Sequence, residues 1–546
     1  MAPSWRRDMD SPLSTPAGPA WTRTALELAL AWALPLAALA AWAAWSLAQV
    51  SPIGTFSDSI DYLVLSDFYA RYFHGEAAGE TSAYFSQSRF PPLFPLVLAA
   101  AGAVPLNEFP AHVVTQLLAI AAMLAFVAWF LLETHRIAVA SLLGLAAFVA
   151  AGQIHLLLNP VSEPLMMVLL GSTLLLSARV RASESSLLVL AALVGLVPMA
   201  RMAGAALVAA FALWLWCNSA VSTRRRLAAL SVATLPMAAW LVYRSLLPIE
   251  ESYVAALSLE RATAAFGGWS GFLHQPAWML RGLASAFGPN PGLLSLSVAC
   301  VMAILATVAL PERMRANKLD AWFTPIYAGL VLVWPYPAET GRLLLVLAPV
   351  LMLQAWSGAT LLAAWTRERA PVARALPAVA LLLLVGACVP AWSTTIHRAR
   401  LVRDPVLAPY IRTPAYFAAE SDSLAVANAE SWARIVALAA ELPDVVPGGD
   451  CVYSLFPGMT WFLSGRQTRV EEIPLEVSDA GTSLGELRAC RYVIAVNLHG
   501  TRHGMPALFP LEALGARAVP VLHSEFMHDG RRVIAAVLLD LGAPAR

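Results

Sequence analysis

The sequence predicts a mainly helical, polytopic membrane protein that ends in a water-soluble α/β domain. Three observations predict it. First, 59% of the 546 residues are hydrophobic and only 13% are charged. Soluble domains run near 45–50% apolar and about 25% charged, so most of this chain cannot be meeting water. Second, the apolar residues gather into runs approaching the roughly 20 residues that a membrane helix needs. Third, the composition changes after about residue 396, where short β-rich runs begin. The net charge of +1 creates no bulk field, and no basic patch points to a nucleic acid partner.

The N-terminal stretch 1–24 is polar and carries Arg6, Arg7 and Arg23, so it reads as a cytoplasmic tail. The apolar run after it is too long for a signal-peptide core and lacks a convincing cleavage site, so it reads as a retained first span. Within 25–395, candidate spans fall at 25–50, 110–132, 137–152, 160–178, 187–200, 202–217, 227–247, 292–310, 319–335, 343–365 and 375–391. That makes about eleven segments.

Basic residues collect on the cytoplasmic side of membrane proteins. With the N-terminus inside, the inside loops hold His135/Arg136, Arg179/Arg181, Arg224 to Arg226, Arg313/Arg315/Lys318 and Arg367/Arg369/Arg374. The long loops 51–109 and 248–291 fall outside, as does the tail 396–546. The Ala/Leu/Arg-rich, Lys-poor usage suggests a bacterium, which would place the chain in the cytoplasmic (inner) membrane with its C-terminal domain in the periplasm.

Two runs are short. Segments 187–200 and 202–217 flank Arg201, and both outer flanks are basic. One tilted helix would bury Arg201 near mid-membrane, at a cost of roughly 2.5–3.5 kcal/mol, and would put one basic cluster outside. The expectation is a hairpin with Arg201 at its outer turn, facing a polar cavity. Segment Pro91–Val104 is too short to span and is expected along the outer interface, led by Pro91–Pro92.

In the tail, Ser423–Leu442 has helical periodicity with Trp432, Ile435, Val436 and Leu438 among its apolar positions. Short strand-like runs follow at Cys451–Phe456, Tyr492–Asn497, Ala518–Leu522 and Val533–Leu541. Cys451 and Cys490 are either an extracytoplasmic disulfide or two buried thiols. Cys217, Cys300 and Cys388 sit in spans and read as packing residues.

Several polar residues stand out against this background. The first outer loop carries Asp58 and Asp61, three residues apart and able to share one face of a helical turn. A carboxylate just above a bilayer is partly desolvated and can serve as a general base or hold a divalent ion. A solvated loop with a capping Asp explains the same pattern. Tyr62 follows, and Arg89 precedes Pro91–Pro92. The next outer turn holds His155, Asn159 and Glu163. Glu163 lies in Ser162-Glu163-Pro164, where a capping role is natural. Arg342 opens an apolar helix on the outer side, against the usual trend. There it can grip a phosphate through two parallel hydrogen bonds or snorkel to the interface. There is no strong metal-ligand pattern, no phosphate-cradling Gly loop with Lys and no nucleophile elbow.

Taken in order, these residues resemble the GT-C superfold of integral-membrane glycosyltransferases. The likeness is to the branch of protein mannosyltransferases, aminoarabinose transferases and bacterial lipopolysaccharide sugar transferases. That family has one span, then an outer acidic motif of the form Asp-(Glu/Ser)-x-x-Tyr, here Asp58-Ser59-Ile60-Asp61-Tyr62. A Pro-Pro-Leu-(Tyr/Phe)-Pro segment follows, here Pro91-Pro92-Leu93-Phe94-Pro95. Later come Ser162-Glu163-Pro164-Leu165, Arg201 to Gly204, Arg342 to Pro349, and an aromatic run ending in Gly465-Arg466. Ser59 stands where many members have Glu, which puts metal binding by the acidic pair in doubt.

The resemblance implies a sugar donor on a polyprenyl phosphate and a glycan, lipid or protein hydroxyl as acceptor. It implies Asp58 as general base, and Arg342 and Arg201 on the leaving phosphate. Glu163 and His155 would orient the acceptor or a metal, with Asp61, Tyr62 and Arg89 among the substrate-binding residues. No cofactor is certain. Asp58 and Glu163 are the candidates for a divalent cation, Mg or Mn. Two other classes fit the residues: a transporter or flippase of a lipid-linked substrate, and a non-catalytic GT-C-like scaffold.

Overall fold

The computed structural model describes residues 21–48, 59–75, 90–103, 108–157, 159–179, 184–218, 221–245, 263, 268–288, 291–334, 337–366, 371–412, 416–417, 419–448, 450–454, 457–464, 468–472, 490–496 and 519–542. The helices in chain order are α1 (Trp21–Leu47), α2 (Ser59–Phe73), α3 (Leu93–Ala100), α4 (Phe109–Thr134), α5 (Ile137–Val149), α6 (Ala151–Leu157), α7 (Glu163–Ser177) and α8 (Glu184–Ala200). They continue with α9 (Ala205–Cys217), α10 (Thr223–Ser245), α11 (Gln275–Ala284), α12 (Leu293–Arg315), α13 (Leu319–Leu332), α14 (Pro337–Thr366), α15 (Leu376–Gly386) and α16 (Cys388–Ala399). Among the described residues, six helices are long and apolar enough to cross a membrane and five more are shorter and apolar. Each of the eleven expected spans therefore has its helix, and the chain is a multi-pass membrane protein.

α14 is the hub of the bundle. Of its most apolar window 83% is buried inside the protein, against 17% for α10. α14 thus packs on protein nearly all round, while α10 turns most of its surface outward. The break expected at Arg201 is present: α8 stops at Ala200, Arg201 is extended, and a 3-10 turn at Met202–Gly204 leads into α9. α3 is eight residues long, too short to span, as the Pro91–Val104 segment requires. Cys388 is buried, but Cys217 and Cys300 are exposed on the bundle surface. For those two the expected packing role does not hold, because their helix faces look outward.

A charged network closes one end of the bundle. Arg313, at the end of α12, donates to Asp320 through Nε and Nη2, both at 2.8 Å, and to Glu133 at 3.1 Å. Lys318 reaches Glu133 at 3.0 Å, and Gln354 of α14 donates to Asp320 at 2.8 Å. Two cations thus meet two carboxylates among buried partners, the arrangement in which buried charge is tolerated.

The last span runs into the soluble domain through a rigid joint. Arg398 of α16 is buried and donates to the carbonyls of Tyr416, Phe417 and Ala419 at 2.5–3.1 Å. Tyr416 donates back to the Arg398 carbonyl at 2.8 Å. His397 bonds Asp422 at 2.7 Å, and that bond, with Arg398 nearby, holds the Asp422 carboxyl below the usual carboxylate range. Burial pushes the Tyr416 phenol up to about 12. Helix α17 (Asp422–Val445) starts here, capped by Ser421, whose hydroxyl accepts from the Leu424 amide at 3.2 Å.

The soluble domain is built on a five-stranded sheet of order β2-β1-β3-β5-β4, with α17 packed against β4 and β5. Its strands are β1 (Cys451–Ser454), β2 (Arg469–Glu472), β3 (Tyr492–Val496), β4 (Val519–His528) and β5 (Arg531–Asp540). β2, β1 and β3 run parallel, and β5 pairs antiparallel with β3 and β4. A tight turn at Asp529–Gly530 joins β4 to β5, both residues at positive φ, as the right-handed strand twist favours. The sequence expects four strands. β2 is a fifth, and β4 runs well beyond Leu522. A short helix, α18 (Pro457–Leu463), sits between β1 and β2. Cys451 and Cys490 form a disulfide, which settles that alternative.

The pairing closes a loop between residues 39 apart, which loop-closure entropy values at roughly 4 kcal/mol. Without reductant, alkylation of the unfolded chain is expected to label Cys217, Cys300 and Cys388 and leave Cys451 and Cys490 unlabelled until reductant is added. The C451S/C490S double variant is expected to open the soluble domain to limited proteolysis while the spans stay protected. Labelling of all five cysteines without reductant would show the bond absent.

Candidate active site

At the end of the bundle opposite the Arg313 network, three charged side chains from separate elements meet. Glu163 is the first residue of α7, and the proline after it suits a helix start. Its side chain does not cap: Ser162 makes no capping bond either. The Glu163 carboxylate is fully buried and faces two guanidiniums. Arg201 Nη1 lies 2.7 Å from Oε1. Arg342, near the start of α14, pairs its Nε with the same oxygen and donates from Nη2 to Oε2 at 3.0 Å. The extended backbone at Arg201 is what frees this residue from the helix and turns it toward α7. Arg201 also reaches the Ser162 hydroxyl at 3.4 Å.

Two arginines at close quarters repel each other. Their common carboxylate offsets that repulsion: it pairs with both guanidiniums and accepts a charge-assisted hydrogen bond from Arg342. None of the three would sit comfortably buried without the others.

The start of α14 is pinned from three sides. Tyr327 of α13 donates to the Leu343 carbonyl at 3.0 Å. Gln153 of α6 donates to the Leu345 carbonyl at 2.7 Å. Gln275 of α11 donates to the Val331 carbonyl at 3.2 Å and to the Thr340 hydroxyl at 3.5 Å. These three residues fix where Arg342 stands. Sequence reasoning missed them, although a lone Gln or Tyr inside an apolar run was the available signal.

Helix α2 brings Tyr62 of the acidic motif to the same place. Tyr62 is buried between Phe90 and Phe94, with ring centroids 4.9 and 5.0 Å apart. Its hydroxyl bonds Ser162 at 2.9 Å, one residue from Glu163. Tyr62 therefore ties α2 to the charged cluster from within the core. Asp61 is partly exposed and faces α18 of the soluble domain. A Cβ on Gly458 would lie 2.6 Å from Asp61 Oδ1, so α18 approaches the carboxylate as closely as only glycine allows. Further along α2, burial pushes the Tyr69 phenol up to about 12, with Tyr243 of α10 adding to the effect.

Asp58 and Arg89 lie outside the described residues. His155 belongs to α6, but its side chain lies outside the described residues, as do Gly465 and Arg466. Of the expected site residues, the structure thus joins Glu163, Arg201 and Arg342 directly, Tyr62 through Ser162, and Asp61 on the adjoining helix. Among the described residues no group of three His, Cys, Asp or Glu side chains could hold a metal ion. Glu163 does not fit that role either, since a divalent cation there would have to approach two guanidiniums.

No family model matches the chain, and no curated protein matches it. Among solved structures the chain is similar to ArnT from Cupriavidus metallidurans bound to undecaprenyl phosphate, at 14% identity and a TM-score of 0.47, covering 94% of this chain and 98% of that one. It is also similar to the apo state of the same protein, at 13% identity and a TM-score of 0.44, with the same coverage.

Proposed function

We propose that this chain is a membrane glycosyltransferase. It moves a sugar from a polyprenyl phosphate to a hydroxyl of an envelope glycan, lipid or protein on the outer face of the cytoplasmic membrane. The observation that carries this reading is the convergence of Arg201 and Arg342 on buried Glu163, beside the helix that begins at the acidic motif. Paired guanidiniums held in a fixed fork suit a phosphate, which accepts but does not donate. The basic clusters near the other end of the bundle support placing this end outside. The Cys451–Cys490 disulfide supports an oxidising location for the soluble domain.

In the proposed reaction, Asp58 takes the proton of the acceptor hydroxyl as its oxygen bonds to the anomeric carbon. The bond from that carbon to the phosphate oxygen breaks, and the electron pair leaves with the lipid phosphate. Arg342 and Arg201 stabilise the charge that grows there. Glu163 acts as a positioning residue for both arginines. No step is routed through a divalent cation.

Replacing Asp58 with Asn is expected to lower transfer by about 10²–10⁴-fold, the usual contribution of a general base. The midpoint of thermal unfolding in detergent should not change. Transfer at the wild-type rate would exclude Asp58 as base. A wild-type chain that moves lipid-linked substrate across vesicles yet forms no glycosidic bond would instead support a transporter.

Glu163→Gln leaves two buried guanidiniums without their counterion. A stability loss of about 3–5 kcal/mol is expected, the cost of breaking a buried pair, together with loss of transfer. Arg342→Lys keeps the charge and loses the fork, so it should fold and still lose most activity. Wild-type kinetics for the Lys variant would remove Arg342 from the phosphate site.

Gly458→Ala is expected to displace the Asp61 carboxylate and reduce kcat several-fold. Unfolding of the soluble domain should be unchanged, because the atom displaced is the end of a side chain. An unchanged kcat would detach α18 from the reaction.

A further inference from the structure

We propose that Gln116 recognises hydroxyl groups of the donor sugar. This rests on the glycosyltransferase reading above and adds to it the residue that would distinguish one sugar from another.

Gln116 sits in α4 and is 3% exposed. Neither its Nε2 nor its Oε1 has a hydrogen-bond partner. Among the described residues, no other side-chain amide is buried with both ends unpartnered. The other buried glutamines of the bundle behave differently. Gln153, Gln275 and Gln354 each donate to a backbone carbonyl and so hold helices together. An orphaned buried polar group is destabilising, because it gives up its bonds to water and gains none in the fold. An apolar residue of the same size would remove that cost, so a structural role does not account for Gln116.

Its position can be read from neighbouring contacts. A Cβ on Gly171 of α7 would touch Phe126 of α4, and one on Gly144 of α5 would touch Val127 of α4. These contacts register α4 against α7 and α5. At about 1.5 Å per residue, Gln116 stands about 15 Å from Phe126 toward the Glu163 end. Glu163 stands about 12 Å from Gly171 in the same direction. Around the α4 axis, at about 100° per residue, Gln116 points within about 20° of Val127 and about 80° of Phe126. It therefore projects between the sides that meet α5 and α7, at the depth of Glu163.

The chemistry of the group selects its ligand. A neutral amide offers one acceptor and two donors. A phosphate has only acceptors to offer and would leave Oε1 orphaned. Sugar hydroxyls both donate and accept, so a pair of them satisfies both ends of Gln116. The guanidiniums of Arg201 and Arg342 suit the phosphate, and the amide suits the sugar attached to it.

The test compares full-length wild type with Gln116→Leu in detergent. Three quantities are measured: the thermal midpoint, binding of undecaprenyl phosphate by thermal shift, and kinetics with a panel of undecaprenyl-phosphate pentoses and hexoses. The expected result is a midpoint that is unchanged or higher, undecaprenyl phosphate binding that is unchanged, and KM for the preferred donor raised about 10-fold or more. A lowered midpoint with wild-type KM would make Gln116 a core residue and overturn the proposal. Equal weakening for undecaprenyl phosphate and its sugar-bearing form would move Gln116 to the phosphate and also overturn it. If the wild type transfers sugar and the variant does so with wild-type KM, only the Gln116 assignment falls. If the wild type transfers no sugar from any donor in the panel, the glycosyltransferase reading falls as well.

Discussion

The carboxylate of Glu163 is the point on which one end of the helix bundle depends. It is fully buried and it binds two arginines that arrive from different parts of the chain. α7 supplies the carboxylate, the break after α8 supplies Arg201, and the start of α14 supplies Arg342. Lipid offers no water to solvate any of these groups, so each can be present only because the others are. The same interaction that joins three helices therefore fixes two guanidiniums side by side. Structure and chemistry are not separable here: an arrangement that merely balanced charge could use one arginine, and this one uses two.

The opposite end shows what balanced charge looks like. There Glu133 and Asp320 meet Arg313 and Lys318, cation for carboxylate, with Gln354 and Thr324 completing the bonds. Gln354 and Arg342 are both on α14, twelve residues or about 18 Å apart. The central helix thus carries Arg342 near its start and, about 18 Å along, the glutamine that joins the closed network. That contrast is the reason to propose the chemistry at the Glu163 end.

Much of this was legible from sequence because a membrane imposes simple rules. Spans must be long and apolar, and basic residues sort by side. Those two rules located the eleven apolar helices found among the described residues and the break at Arg201, since basic clusters on both flanks forbid a single crossing. They could not give side-chain partners. Glu163 before Pro164 looks like a cap, and only the fold reveals that two distant arginines occupy it. β2 was missed because Arg469–Glu472 is four residues long, half of them acidic, and gains its strand character by pairing in parallel with β1. Gly458 carries no pattern at all. Its meaning is the space it leaves for Asp61.

That last contact bears on what the soluble domain is for. The sequence sets the tail apart as an α/β domain after the last span. Yet the tail is not loosely tethered: Arg398 binds three carbonyls at the joint, and α17 is bonded through Asp422 to the end of the last span. A domain fixed so rigidly at its base holds its other parts at fixed positions, and α18 is one of them. It rests on α2 with no side chain between its Gly458 and Asp61. The start of α2 is therefore bounded by the membrane helices on one side, through Tyr62 and Ser162, and by the soluble domain on the other, through Gly458. Under the proposed reaction, an acceptor reaching Asp61 would meet both, which would give the soluble domain a part in acceptor selection as well as its place at the end of the last span.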